Sequence, residues 1–166
     1  NGTWKFQYFD SIYDLKDAFY EDGYSVEGFD EIKVPSVWQM AGYDTHQYTN
    51  IRYPFPFDPP YVPQDIPCGA YVHTFDYATD TAAPNAYLNF EGVDSCFYVW
   101  INGEYVGYSQ VSHMTGEFDV TDILKEGENT IAVLVMKWCD GSYLEDQDKF
   151  RMSGIFRDVY ILKRPE

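Results

Sequence analysis

Basic side chains are scarce in this chain: eleven Lys and Arg stand against 27 Asp and Glu over 166 residues, a formal charge of -16. Phosphate backbones and anionic lipid would be repelled by such a surface, so nucleic acid and membranes are poor partners. Solubility is the plainer consequence of the charge. Cysteine is also scarce. Cys68, Cys96 and Cys139 are odd in number and far apart, which argues against a disulfide framework and against a zinc site. Buried free thiols are expected, and a reducing compartment such as the cytoplasm is favoured. No apolar run approaches the roughly 20 residues of a membrane-spanning helix, and no secretory leader is visible. The first residue is Asn1 rather than Met, as in an excised or processed piece, so the compartment of the parent protein stays open.

Several chemistries lack their motifs. His46, His73 and His113 stand alone, without HxH, HExxH or CxxC, and each is expected at the surface or core edge. There is no GxSxG elbow and no glycine loop to cradle phosphate. Glu145, Asp146 and Asp148 lack the glycine and spacing of a calcium-binding EF-hand loop.

Aromatic residues are abundant, with 16 Tyr, 12 Phe and 4 Trp in a chain that is 45% hydrophobic. One domain with a real core is within reach. Aromatics favour strands, and their flat faces also suit sugars; an aromatic core accounts for most of them. Trp4, Phe6 and Tyr8 alternate as in a half-buried strand. Ser11 caps a short amphipathic helix carrying Ile12, Leu15 and Phe19. Strands are expected at Glu31 to Val34, Tyr71 to Tyr77, Ala86 to Phe90, Glu117 to Val120, Ile131 to Lys137 and Val159 to Lys163. Asn102-Gly103 joins Phe97–Ile101 to Glu104–Tyr108 as a hairpin, which places Ile101 opposite Glu104, Val99 opposite Val106 and Phe97 opposite Tyr108. Thr121 caps a helical turn ending at Gly127. Many short strands with little helix indicate an all-β antiparallel sandwich or jelly roll with long ordered loops and one short helix.

Two stretches do not read as strands. Val37 to Pro67 is rich in Pro and Tyr, and is stiffened rather than loose. Trp138 to Asp158 is acidic and aromatic and lies between two strands, where function is sought first. Its carboxylates Glu145, Asp146 and Asp148 are read either as partners of Lys149, Arg151 and Arg157 or as holders of a hydroxyl or a hard cation. A glycosidase carboxylate pair is a further reading of this cluster, but its positions in one loop are not shown to flank a scissile bond and an isolated sandwich offers no obvious second wall.

The loops carry specific words as well as composition. Val34-Pro35-Ser36-Val37-Trp38-Gln39-Met40, Tyr48-Thr49-Asn50-Ile51-Arg52-Tyr53-Pro54, Asp140-Gly141-Ser142-Tyr143-Leu144-Glu145-Asp146-Gln147-Asp148 and Arg151-Met152-Ser153-Gly154-Ile155-Phe156-Arg157-Asp158 resemble the amino-terminal sugar-binding domain of the large β-galactosidases of glycoside hydrolase family 2. Phe90 to Ser95 and Trp100 to Ser109 fit the same pattern. The resemblance implies a jelly roll with no catalytic residue of its own, since the family's two catalytic glutamates lie in a later TIM barrel and this chain ends at Glu166. It implies a galactoside substrate shared with the remaining domains of the same polypeptide. Asn50 matches the asparagine that hydrogen-bonds the galactosyl unit, Ile51 an apolar wall, and Asp148 the aspartate that contacts the 6-hydroxyl and helps hold sodium. Asp140 and Gln110 match positions near a magnesium ion, although Val111 stands where the family often has an aspartate. Arg151 and Arg157 are expected to anchor the loop through carboxylates. A free-standing carbohydrate-binding module, or a domain that mainly packs against its neighbours, stays open beside this reading.

Overall fold

The computed structural model describes residues 1–165. Thirteen strands form in chain order: β1 (Gly2–Phe9), β2 (Asp30–Val34), β3 (Gln47–Thr49), β4 (Cys68–Tyr77), β5 (Asn85–Phe90), β6 (Val93–Asp94), β7 (Cys96–Ile101), β8 (Glu104–Ser109), β9 (Gly116–Asp119), β10 (Gly127–Met136), β11 (Lys149–Arg151), β12 (Gly154–Ile155) and β13 (Val159–Arg164). One short helix, α1 (Trp38–Ala41), and two 3₁₀ turns, Ile12–Asp14 and Asp140–Tyr143, complete the inventory. A six-stranded sheet runs β2-β1-β4-β10-β7-β8 and a three-stranded sheet runs β13-β5-β9, with the pairs β11-β3 and β12-β6 as small ribbons. Neighbouring strands are antiparallel throughout. The fold is the expected all-β jelly roll.

Strand alternation builds two apolar layers. Within β4, Tyr71 faces the space between the sheets, where Trp4, Phe6, Val99, Val133 and Val135 from the large sheet meet Leu88, Phe90, Val120, Ile155 and Val159. Ala70 and Val72 face the opposite way, with Ala132 and Leu134 of β10, and are covered by Phe19 and its half-buried neighbours Ile12, Leu15, Tyr20, Tyr24, Val26 and Phe29. A sheet buried on both faces explains why β10 reads as a nearly continuous apolar run, with five consecutive buried residues from Ile131 to Val135.

Three details depart from the sequence expectations. The helix from Ser11 is only a 3₁₀ turn: Ser11 accepts from the Tyr13 N–H as a cap should, but Leu15 is extended with ψ 100°. Ile12, Leu15 and Phe19 spread over the outer sheet face instead of along one helix stripe. The β7–β8 hairpin keeps Ile101 opposite Glu104 and Trp100 opposite Tyr105, then slips, with Val99 opposite Gly107 and Phe97 opposite Ser109. Val106 is the extra residue of a bulge. The slip sets Gly107 under the Phe118 ring, where a Cβ would stand 2.5 Å from the ring carbon Cε1. Finally, Thr121 does not cap a helical turn. Its hydroxyl accepts from Ala86 N and donates to Asp119, while the Val120 carbonyl receives the N–H groups of Ile123 and Leu124.

Candidate functional site

The site is built on the ribbon of β3 and β11. The two long loops each contribute one short strand, paired as Lys149 with Thr49, Phe150 with Tyr48 and Arg151 with Gln47. Antiparallel register then fixes the next position outward: Asn50 follows Thr49, and Asp148 precedes Lys149. The two candidate residues therefore leave the same end of one ribbon. Both are exposed, and Ile51 beside them is 85% exposed.

Their polar atoms are only partly committed. The Asn50 side-chain oxygen accepts from the Ile51 N–H at 2.8 Å, so its NH₂ group is left to donate. The Asp148 carboxylate accepts from the Tyr48 hydroxyl and retains acceptor capacity. That bond, followed by desolvation and the Asp148 charge, raises the Tyr48 pKa above its ordinary value, so the phenol stays a donor. The Tyr48 ring lies 5.5 Å from that of Phe150 across the ribbon.

Beneath the ribbon, the remaining charges are engaged in holding the loop. Arg151 is buried and donates from Nε to Thr49 Oγ1 at 3.0 Å, from Nη1 to the Glu145 carbonyl at 3.1 Å, and from Nη2 to Asp146 Oδ1 at 2.6 Å and the Gln147 carbonyl at 2.8 Å. Glu145 accepts from the Ser112 N–H at 2.8 Å and its hydroxyl at 2.6 Å. Two expected pairings are corrected. Among the described residues Arg157 reaches no carboxylate; it donates to the His113 carbonyl at 3.3 Å and lies over Phe156. Lys149 turns away from the loop's own carboxylates to Asp94, 3.5 Å distant. Burial pushes Asp94 up to about 6, with Lys149 opposing and Glu145 adding to the rise.

The Pro-rich loop is tied down by aromatic and polar contacts. Tyr143 donates to the Tyr61 carbonyl at 2.6 Å and accepts from the Asp58 N–H at 3.1 Å. Its ring packs against Tyr53, Phe55 and Phe57, with Trp138 behind Phe55. Helix α1 plugs the loop into the core: buried Trp38 donates Nε1 to the Tyr71 hydroxyl at 2.6 Å. Gln39 reads Ser153 N at 2.9 Å and Asp44 at 2.9 Å, and Asp44 pairs with buried Lys137 at 2.5 Å.

The two magnesium candidates are near each other in space. The Gln110 carbonyl oxygen lies 3.1 Å from where a Cβ of Gly141 would stand, and Gly141 donates its N–H to Asp140. The Gln110 side-chain oxygen accepts from Tyr108 at 2.7 Å, and Asp140 is exposed. Among the described residues, no group of three or more His, Cys, Asp or Glu is arranged to hold a metal. Asp148 and Asp140 are therefore single hard-oxygen donors. They suit sodium or magnesium in kind, but a complete shell needs oxygens beyond these side chains. The sequence assigns no individual role to Tyr48, Thr49 or Ser112, because nothing local reports a partner far along the chain.

An antiparallel jelly roll with a loop-borne polar pair at the end of a short ribbon is the class that fold and site define. Residues 1–165 match the family model described as glycosyl hydrolases family 2, sugar binding domain. The chain is 56% identical to a beta-galactosidase of Actinobacillus pleuropneumoniae over 167 residues, covering 100% of this chain and 16% of the relative. It is 56% identical to a beta-galactosidase of Staphylococcus xylosus, covering 99% of this chain and again 16% of the relative. A solved beta-glycosidase from Bacteroides vulgatus superposes with TM-score 0.66 at 25% identity, covering 98% of this chain and 19% of that one. A Bacteroides uniformis beta-glucuronidase gives 0.70 at 21%, covering 99% and 17%, a likeness of fold alone. The chain belongs to the sugar-binding domain family of the family 2 glycosyl hydrolases. It spans 16% of the length of the curated relatives it matches.

Proposed function

We propose that this domain serves a retaining β-galactosidase by lending Asn50, Ile51 and Asp148 to the rim of a galactoside site whose catalytic carboxylates lie elsewhere in the same polypeptide. The observation that carries the reading is the β3–β11 register, which delivers Asn50 and Asp148 from distant loops to one ribbon end. There the amide donates, the carboxylate accepts, and Ile51 offers an apolar surface to a ring face. Sugar hydroxyls need that mixture. The identity with two beta-galactosidases supports the substrate class. Asp148 is assigned the 6-hydroxyl and a share in a sodium ion. Asp140 and Gln110 are assigned to magnesium, which supplies charge and order to the rim. No bond-making step is assigned to either ion.

The test uses the full-length protein. Asp148→Asn and Asn50→Ala should each reduce kcat/KM for a β-galactoside by the equivalent of about 2–4 kcal/mol if the lost bond is made mainly in the transition state. Unchanged kcat/KM in correctly folded variants would sink the assignment. A site built for the 6-hydroxyl also predicts that Asp148→Asn hardly affects a 6-deoxygalactoside.

A further inference from the structure

The ribbon explains why Asn50 and Asp148 are neighbours, but the backbone ladder alone does not fix how the turn before Asp148 sits against the strand before Asn50. One buried side chain touches both. The Arg151 guanidinium grips Thr49, which precedes Asn50, through Nε. It grips the Gln147 carbonyl, which precedes Asp148, through Nη2, and it adds the Glu145 carbonyl and the Asp146 carboxylate of the same turn. A planar group with donors at fixed angles carries geometry from one loop to the other. Asp146 supplies the counter-charge at 2.6 Å, so the buried cation is paired.

We infer that Arg151 is the positioning residue of this site: its guanidinium sets the placement of Asn50 relative to Asp148. The inference rests on the sugar-site reading above and adds to it a determinant that touches no substrate. Arg157, also in this loop, makes no comparable span. It is exposed and bonds a single carbonyl.

The experiment is a cycle of variants in the full-length protein, read as kcat/KM for an aryl β-galactoside. Arg151→Lys keeps the charge and loses the fork, and a loss of about 10- to 100-fold is expected, the scale of a misplacement of an ångström or so. Thr49→Val removes only the hydroxyl that meets Nε and should cost a smaller factor in the same direction. If Lys at 151 prevents folding, Thr49→Val carries the comparison alone. The same changes are then made in an Asn50→Ala, Asp148→Asn background. With nothing left to position, they should change kcat/KM by less than about twofold. Equal losses in both backgrounds would mark Arg151 as a general anchor and overturn the inference while leaving the sugar site intact. If the Asn50→Ala, Asp148→Asn background itself retains full kcat/KM, the sugar-site reading fails first and the inference falls with it.

Discussion

The sandwich and the two long loops are held together by different forces. Between the sheets, Phe6, Phe90, Val99, Val133 and Ile155 are fully buried and carry no side-chain group that can hydrogen-bond. Their stabilisation is apolar area removed from water and close packing, which tolerate exchange of one hydrophobic side chain for another of similar volume. In the loops, the buried residues include Gln39, Lys137, Arg151 and Ser153, each with named partners. A hydrogen bond contributes only about 1 kcal/mol net, yet leaving a buried partner unmade costs more than the bond contributes. The sandwich needs volume, whereas the loops need particular atoms. A region that needs particular atoms is also one that can hold two side chains at a set spacing for a ligand. Trp38 joins the two regimes, packed in the core and hydrogen-bonded to Tyr71.

The sharpest way to break the comparison is to damage each region in its own currency. Phe90→Ala opens a cavity beside Phe97, 4.6 Å away between ring centroids, and should cost about 3–5 kcal/mol by chemical denaturation. Phe90→Leu should recover a good part of it. In the loops, Lys137→Met leaves the largely enclosed Asp44 carboxylate without its cation and should cost about 3–4 kcal/mol. Lys137→Met with Asp44→Leu should recover most of that loss, since an apolar pair of similar volume replaces a buried ion pair at little net cost. A loop region held by packing alone would show no such recovery.

The two regions also differ in how far their sequences announce them. Trp4-Phe6-Tyr8 and Asn102-Gly103 report strand and hairpin through neighbours in the chain, and both features form. The hairpin register fails at Val106 because a bulge answers to Phe118 across the sandwich, which no local pattern records. The Ser11 helix fails for a similar reason. Helical spacing of Ile12, Leu15 and Phe19 equally serves a segment lying over the outer sheet face. In the loops, Asn50 was legible only through resemblance, and Asp148 was one of three candidate carboxylates until the resemblance singled it out. Their juxtaposition depends on a three-residue ribbon, and Lys149, Arg151 and Arg157 chose partners by geometry: Asp94, Asp146 and a carbonyl.

A smaller effect separates the regions by pH. Asp94 is raised to about 6, first by burial, so in the folded state it holds its proton at pH values where the unfolded chain has released it. Folded molecules then bind more protons between about pH 4 and 6, and the contribution of Asp94 to stability falls as pH rises through that window. At higher pH the deficit levels off, at no more than about 3 kcal/mol. Asp94→Asn should be flatter over the same interval, so that the difference in stability between the variant and the native protein grows from pH 4 to pH 6.5. A constant difference would show that Lys149 neutralises Asp94 fully in place. Phe90→Ala, by contrast, should shift stability without changing its pH slope.

The smallest expected effect isolates the seam between the loops. Tyr143 lies in the acidic loop, but its hydroxyl serves only the Pro-rich one, donating to the Tyr61 carbonyl and accepting from Asp58 N. Tyr143→Phe keeps the ring among Tyr53, Phe55 and Phe57 and removes these bonds, with the longer contact to the Pro56 carbonyl at 3.3 Å, at a cost of about 1–2 kcal/mol. The consequence should be local. Hydrogen exchange at the Asp58 amide should speed up, while amides of β4 and β10 keep their protection, because those strands open only with the whole domain. Acceleration spreading into β10 would mean that the two loops and the sandwich unfold as one unit, and the division drawn between them would then describe contacts but not cooperativity.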